Sequence, residues 1–434
     1  MAACGSWTPG QCAGWASSAR STRSSRGTVE HARVPYDGNV PMRLVPVLAA
    51  CVLAAGCASG AGSTAEPMPA EKSPAAEISA SPAPQPVEVA PGIVSVGLAD
   101  AYTPTPQGKS TDDYRCFLVP TGISEDRFIT GVRFLPDNPE VVHHAILYRV
   151  QPAQLAAAKA RDQHDPGQGW SCFGGPDLPS VANDDAVRSL DSAPWLAAWA
   201  PGGREYRYPE GTGVYLPAGS SVILQVHYNT LAGAGPDMTS VQLRTSPGTD
   251  DLRKLETVLL PAPVELPCAP QETGPLCDRE AAVADTIERF GGEALRTIWG
   301  LQFICGGDLV EPKASATQSC THDVNDDMTV YSAAGHMHLL GRSITIVANT
   351  GTPREKVLLD VETYNFDHQG GVPLKEPYEL KAGDTVTVTC THDTALRKLL
   401  PALQDTEPRY IVWGDGTTDE MCLGLMTAAA KTGA

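Results

Sequence analysis

The sequence lacks the repeated long apolar runs of a polytopic membrane protein, the strict glycine period of collagen and any sustained heptad pattern. Those three classes are excluded. Charge is also scarce, at 19% of residues, and basic residues are outnumbered 32 to 50, for a net charge of −18. So acidic a chain has no generic basic surface for nucleic acid, and no such partner is expected. Glycine (41) and proline (37) are abundant beside 42% hydrophobic residues. That mix suits a turn-rich β protein with a sizeable core. A length of 434 residues corresponds to two or three domains at roughly 150 residues each.

The N-terminal fifth does not read as folded protein. Met42-Arg43 precedes the run LVPVLAACVLAAGC, in which one positive charge is followed by a short apolar stretch and small residues. This is the pattern of an export signal over 42–56, too short to span a bilayer. Its end, Leu53 to Cys57, resembles a bacterial lipoprotein box, so Cys57 is expected to carry lipid and tether the chain to a membrane. The bland alternative is an ordinary cleaved signal with an incidental cysteine. Residues 1–41 then read as an overextended start, with Met42 as the initiator. Residues 57–92 are rich in proline and alanine and contain no aromatic residue, the composition of a disordered tether.

Twelve cysteines occur. With Cys4, Cys12, Cys51 and Cys57 assigned to these leading segments, eight remain: Cys116, Cys172, Cys268, Cys277, Cys305, Cys320, Cys390 and Cys422. An even number in an exported chain argues for four disulfides, and the lack of any C-x-x-C pair among them weakens a zinc reading.

From residue 93 onward, short β-branched and aromatic runs are broken by proline and glycine, as in RFITGVRFLP, SVILQVHYNT and DTVTVTC. Strands of this length and spacing predict an all-β protein of antiparallel sandwiches. Apolar residues at helical spacing predict one helix at 278–290. The turn-rich stretch SPGTDD places a boundary between domains 93–248 and 249–434. The string Cys-Thr-His-Asp recurs at 320–323 and 390–393, too little for an internal repeat.

Histidine, only ten in number, is where the chemistry concentrates. His143-His144 and His227 fall in the first domain; His336-Met337-His338 falls in the second. Imidazole suits copper, zinc, iron and nickel, and a nearby thioether tilts the choice to copper. Residues i and i+2 of a strand share a face, so His336 and His338 can hold one metal while Met337 turns into the core. Adjacent His143 and His144 would face opposite sides unless a bulge or strand end intervenes. The alternative for any one of them is a hydrogen-bonded core histidine. His322 and His392 read as exposed turn residues, His164 as solvated in a polar loop, and His368 as near the second domain's cleft or within its core.

Several ordered motifs carry a resemblance: VVHHAILY, LAAWAPGG, YPEGTGVYLPAGSSVILQVHYNT, GHMHLLGRS, YNFDHQ, CTHDT and GTTDEMC. Over residues 95–428 the chain resembles the copper type II, ascorbate-dependent monooxygenases, the family of dopamine β-monooxygenase and peptidylglycine hydroxylating monooxygenase. The resemblance implies two consecutive antiparallel jelly-roll domains, each with one copper. His143, His144 and His227 correspond to the electron-transfer copper, His336, His338 and Met421 to the oxygen-binding one, and Gln225 to a glutamine near the former. It also implies disulfides Cys390–Cys422 and Cys116–Cys172, leaving three pairings open for the other four cysteines. Neutral imidazoles serve both copper oxidation states and a soft thioether favours the reduced one; binding requires deprotonated imidazole, so affinity should fall in acid.

Where the peptidylglycine enzyme clamps a substrate carboxylate, this chain has Ala334, Leu423 and Leu425, so that clamp is missing. The expected activity is hydroxylation of an activated C–H bond of a small molecule or peptide, using O2 and a reductant such as ascorbate. A copper-sequestering lipoprotein without turnover explains the same ligands. An adhesion or carbohydrate-binding role for the sandwiches is a further alternative.

Overall fold

A computed structural model describes residues 87–431, apart from 107–110, 166, 173–174, 180–193, 405 and 415. The expected leading extension, export signal, lipidated Cys57 and most of the tether lie outside the described residues. The tether as read ends too late, because Val87–Ala90 is a strand paired with Ile93–Gly97. Its Val-Glu-Val alternation is β-compatible, a local signal masked by the proline-rich composition around it.

The chain is all-β, built as two sandwiches. In the first, one layer runs in the order Val87–Ala90, Ile93–Gly97, Ser240–Pro247, Arg127–Leu135, Thr212–Leu216. The facing layer runs Trp170–Ser171, Asp112–Pro120, Ser221–Asn229, Val142–Arg149, Trp195–Trp199. Two-residue periodicity sorts the side chains. Val222, Leu224, Val226 and Tyr228 enter the core between the layers, while Ile223, Gln225 and His227 take the opposite face.

The second sandwich sets Arg253–Pro261, Leu423–Ala430, Met328–His336 and Val372–Leu380 against Thr317–Asp323, Thr385–His392, Gly341–Ala348 and Lys356–Val361. Val330, Ile344, Ile346, Val388 and Met426 fill its core. The halves are not separate units. Arg253–Pro261 opens the second sandwich yet pairs in parallel with Thr212–Leu216 of the first, through Arg253↔Thr212 and Lys254↔Gly213. One sheet therefore continues across the 248/249 boundary.

The expected helix is Arg279–Phe290, capped by the Asp278 side chain accepting from the Ala281 N–H. The described residues hold three further α-helices that the periodicity does not predict, Leu155–His164, Gly292–Ile304 and the single turn Leu396–Leu399. The first has almost no apolar stripe, and the second is interrupted by Gly300, so neither shows a clean helical period.

Four disulfides join Cys116 to Cys172, Cys268 to Cys277, Cys305 to Cys320 and Cys390 to Cys422. They belong to the chemistry of an oxidising, extracytoplasmic compartment. Cys390–Cys422 ties the Thr385–His392 strand to the start of Leu423–Ala430 in the facing layer, one residue beyond Met421.

Candidate metal centres

The outer face of the Ser221–Asn229 layer carries the first histidine set. His144 lies opposite His227 in the ladder, and Tyr228 lies opposite Val142, so His143 is an extra residue in a β-bulge. The bulge turns both members of the adjacent pair to one side. The Nδ1 atoms of His143, His144 and His227 then form a triangle with edges of 3.2, 3.3 and 3.4 Å. A point equidistant from the three lies about 1.9 Å from each, close to the roughly 2.0 Å of a metal–imidazole bond.

Second partners orient this set. His227 Nε2 donates to Asp112 at 2.9 Å, which leaves its Nδ1 lone pair facing the triangle. Asp112 also accepts from Asn229 at 2.8 Å and from the Thr417 hydroxyl at 2.8 Å. Burial alone would raise the Asp112 carboxyl, but its hydrogen bonds and attraction to His227 hold it well below the usual range. Tyr114 stacks on His227, with centroids 4.0 Å apart. Burial, with like-sign neighbours, lowers His143 to about 3 and pushes His144 well below the ordinary imidazole value. Three imidazole nitrogens set this close suit a soft or borderline cation.

His336 ends its strand and His338 follows two residues later. Their rings are 5.2 Å apart, and Met337 between them is fully buried in the core. His336 Nδ1 donates to Gln369 Oε1 at 2.5 Å, while Gln369 Nε2 donates to the Phe366 carbonyl at 2.6 Å, fixing the amide orientation. His338 Nδ1 donates to the Asp419 carbonyl at 3.2 Å. Both histidines therefore keep Nε2 for a ligand. Burial lowers His336 to about 4 and takes His338 well below its usual value.

Met421 belongs to a segment in which successive residues support this second set. Asp419 is held by Arg289 through two hydrogen bonds, at 2.7 and 2.8 Å, and supplies the carbonyl under His338. The fully buried Glu420 carboxylate accepts the backbone N–H groups of His338 and Leu340. In the ladder His336 pairs with Leu423, two residues beyond Met421, and His336 and Met421 border the same cavity.

The two sets are close. The rings of His144 and His336 are 5.7 Å apart, and Phe366 stacks on His143 at 4.4 Å. The 364–369 loop thus touches one set with Phe366 and the other with Gln369. It also packs against Gly202, whose φ is +80° and where a Cβ would lie 3.1 Å from the Asp367 carbonyl.

A cavity of about 630 Å³ opens between the outer faces of the two sandwiches, bordered by His144, Gln225, His336 and Met421. Gln225 is buried and donates to the Cys172 carbonyl at 3.2 Å, so the Cys116–Cys172 bridge positions it on the wall. Ala334, Leu423 and Leu425 line the same cavity.

Two expectations are corrected. His322 and His392 are buried strand residues, not exposed turns. Each Cys-Thr-His string alternates in and out, its threonines pairing across the surface and its histidines turned inward. His322 meets the Pro261 carbonyl at 2.9 Å, and His392 lies 3.3 Å from Glu420. Of its two expected places, His368 takes the one near the cleft, exposed beside Gly202, and His164 is solvated as expected, though at a helix end and not in a loop. Asp112, Gln369, Thr417 and Glu420 were not identified as functional from sequence. For three of them the only signal was a place inside the motifs YNFDHQ and GTTDEMC, and Asp112 had none.

Residues 99–234 match the family model of the copper type II ascorbate-dependent monooxygenase N-terminal domain, and residues 308–428 match its C-terminal domain. DBH-like monooxygenase protein 1 of Gallus gallus is 23% identical over 79% of this chain and 48% of its own length. Dopamine beta-hydroxylase of Equus caballus is 29% identical over 53% of this chain and 32% of its own. The chain thus spans about half, or less, of the curated relatives it matches. Among solved structures, PNGase F from Flavobacterium meningosepticum aligns over 78% of this chain with a TM-score of 0.29 and 8% identity. Matched by both domain models across most of its two sandwiches, the chain belongs to the copper type II ascorbate-dependent monooxygenase family.

Proposed function

We propose that this chain is an exported monooxygenase that hydroxylates an activated C–H bond of a small molecule or peptide, using O2 and a reductant such as ascorbate. In this reading each half, 93–248 and 249–434, holds one copper. His143, His144 and His227 hold the first; His336, His338 and Met421 hold the second. Lipid anchorage through Cys57 completes it. The observation that carries the reading is the triangle of three Nδ1 atoms with edges of 3.2 to 3.4 Å, with His336 of a second imidazole pair 5.7 Å from His144.

Copper bound at these residues would supply one-electron redox chemistry and activation of dioxygen. The protein's own contribution is orientation. Asp112 holds His227 with Nδ1 bare, and Gln369 and the Asp419 carbonyl do the same for Nε2 of His336 and His338. Burial keeps His143, His144, His336 and His338 unprotonated near neutral pH. The cavity wall would seat a substrate C–H bond beside His336 and Met421, which both line it.

The test is copper loading followed by oxygen-electrode measurement with ascorbate and a broad panel of aromatic and peptide substrates. Two copper ions per chain and substrate-dependent oxygen uptake are expected. Two ions with no uptake would leave a copper-sequestering protein, and no copper binding would return the fold to an adhesion or carbohydrate-binding role.

A further inference from the structure

We propose that the substrate of this site is a neutral, predominantly apolar molecule, neither an amine nor a carboxylate at its buried end. This deepens, and rests on, the monooxygenase reading. The charged residues that line the cavity are Asp177, Arg204, Glu205, Glu293 and Arg296, and all five are exposed. They sit at the rim. Most are engaged there: Glu293 with Arg296, Glu205 with Arg207 and Arg244, Asp177 with Arg161. Inside the rim, among the described lining residues, there is no carboxylate, lysine or arginine.

The interior polar groups are also committed to one another. Tyr206 donates to Ser332, Tyr208 to the Leu196 carbonyl, Tyr148 to Gln225, and Gln225 to the Cys172 carbonyl. Thr257, Thr297, Thr427 and the imidazoles of His144 and His336 add polar atoms that carry no formal charge, and most of the rest is apolar wall, including Leu259, Leu301, Leu423, Leu425, Trp195 and Trp413. In the metal-free protein an ammonium or carboxylate pushed past the rim would lose its hydration without gaining a counter-charge from the described lining, which is costly. An uncharged ring or chain loses little and buries apolar area. At about 630 Å³ the space is within the range that accepts small organic ligands.

Three probes of one shape test this: 3-phenylpropanamide, 3-phenylpropanoate and 3-phenylpropylammonium. Binding is followed by quenching of the tryptophans that line the cavity, in metal-free and anaerobic Cu(I)-loaded protein. The amide should bind at least tenfold more tightly than either ion, and Leu425→Arg should bring the carboxylate level with the amide or below it in Kd. Equal or tighter binding of either ion by the parent chain, or no saturable binding of the amide, overturns the proposal. Should Leu425→Arg fail to fold, the parent ranking still decides. The ranking needs no turnover. The expected ranking without oxygen uptake would sink the monooxygenase reading alone, and brisk uptake with equal affinities would sink this one alone.

Discussion

Thr417 donates its hydroxyl to Asp112 at 2.8 Å across a sequence separation of 305 residues, and Asp112 in turn accepts from His227. A residue of the second half therefore helps to orient the first histidine set. The same short segment orients the second set through the Asp419 carbonyl and Glu420. The segment Thr417–Met421 couples the surroundings of both centres.

Thr417→Val should weaken copper binding at the first centre and leave the second unchanged, because Asp112 loses one of its donors and its grip on His227 loosens. Losses of about tenfold for Thr417→Val and 10–100-fold for Asp112→Ala are expected from the usual effect of partners behind metal ligands. Competitive titration with a copper chelator, paired with EPR of the two sites, measures this. Equal losses at both sites would refute the asymmetry.

Met421→Ala should retain the three-histidine site while lowering Cu(I) affinity at the His336–His338 site, and with it hydroxylation. A copper–sulfur signal in X-ray absorption should disappear with the substitution. A variant that hydroxylated as fast as the parent would remove Met421 from the ligand set.

Gln369 is expected to act by positioning. Gln369→Leu removes the acceptor for His336 Nδ1 and should cost roughly 10–100-fold in copper affinity at that site, whereas Gln369→Glu, which keeps an acceptor oxygen, should retain most of it. A shift of the copper reduction potential in Gln369→Glu distinguishes this role from simple packing. Identical potentials and affinities in all three proteins would count against it.

Removing Cys390–Cys422 by a double serine substitution should destabilise the fold. The bridge closes a loop with a sequence separation of 32, for which chain entropy gives about 4 kcal/mol. Denaturant unfolding of the metal-free protein reads it directly. The second centre should lose copper before the first, since the bridge adjoins Met421.

The metal-free protein should lose stability as pH falls from about 6.5 to about 4. Burial lowers His143 to about 3 and His336 to about 4 in the folded state. The unfolded chain takes up protons near 6.5, so acid favours unfolding throughout that window; the His336 contribution levels off near pH 4 and that of His143 only near pH 3. Denaturation midpoints from pH 7.5 to 4 should fall steadily, and less steeply in His143→Asn. A flat profile would mean that these imidazoles are not held neutral by the fold.

The all-β class and the one amphipathic helix were legible because they rest on short-range periodicity, as in Ser221–Asn229 and Arg279–Phe290. The histidines that meet in the first triangle were legible from residue type and motif. The bulge that brings His143 alongside His144 was recognised only as a requirement. Where the reading failed, local composition misled it. Cys-Thr-His-Asp looks polar and turn-like, yet as strand it hides every second residue, and His322 and His392 went inward with the cysteines.

By itself the sequence determined the strand alternation, the supply of neutral nitrogen and sulfur ligands, and the eight cysteines available for bridges. All of these are encoded within a few neighbouring residues. Only the tertiary structure decided that Asp112 would meet both His227 and Thr417, that Phe366 and Gln369 would serve opposite centres, and that the charged side chains among the described lining residues would stay at the cavity's rim. Those facts depend on which faces two sandwiches turn towards each other, a choice set by packing and by hydrogen bonds between residues hundreds of positions apart.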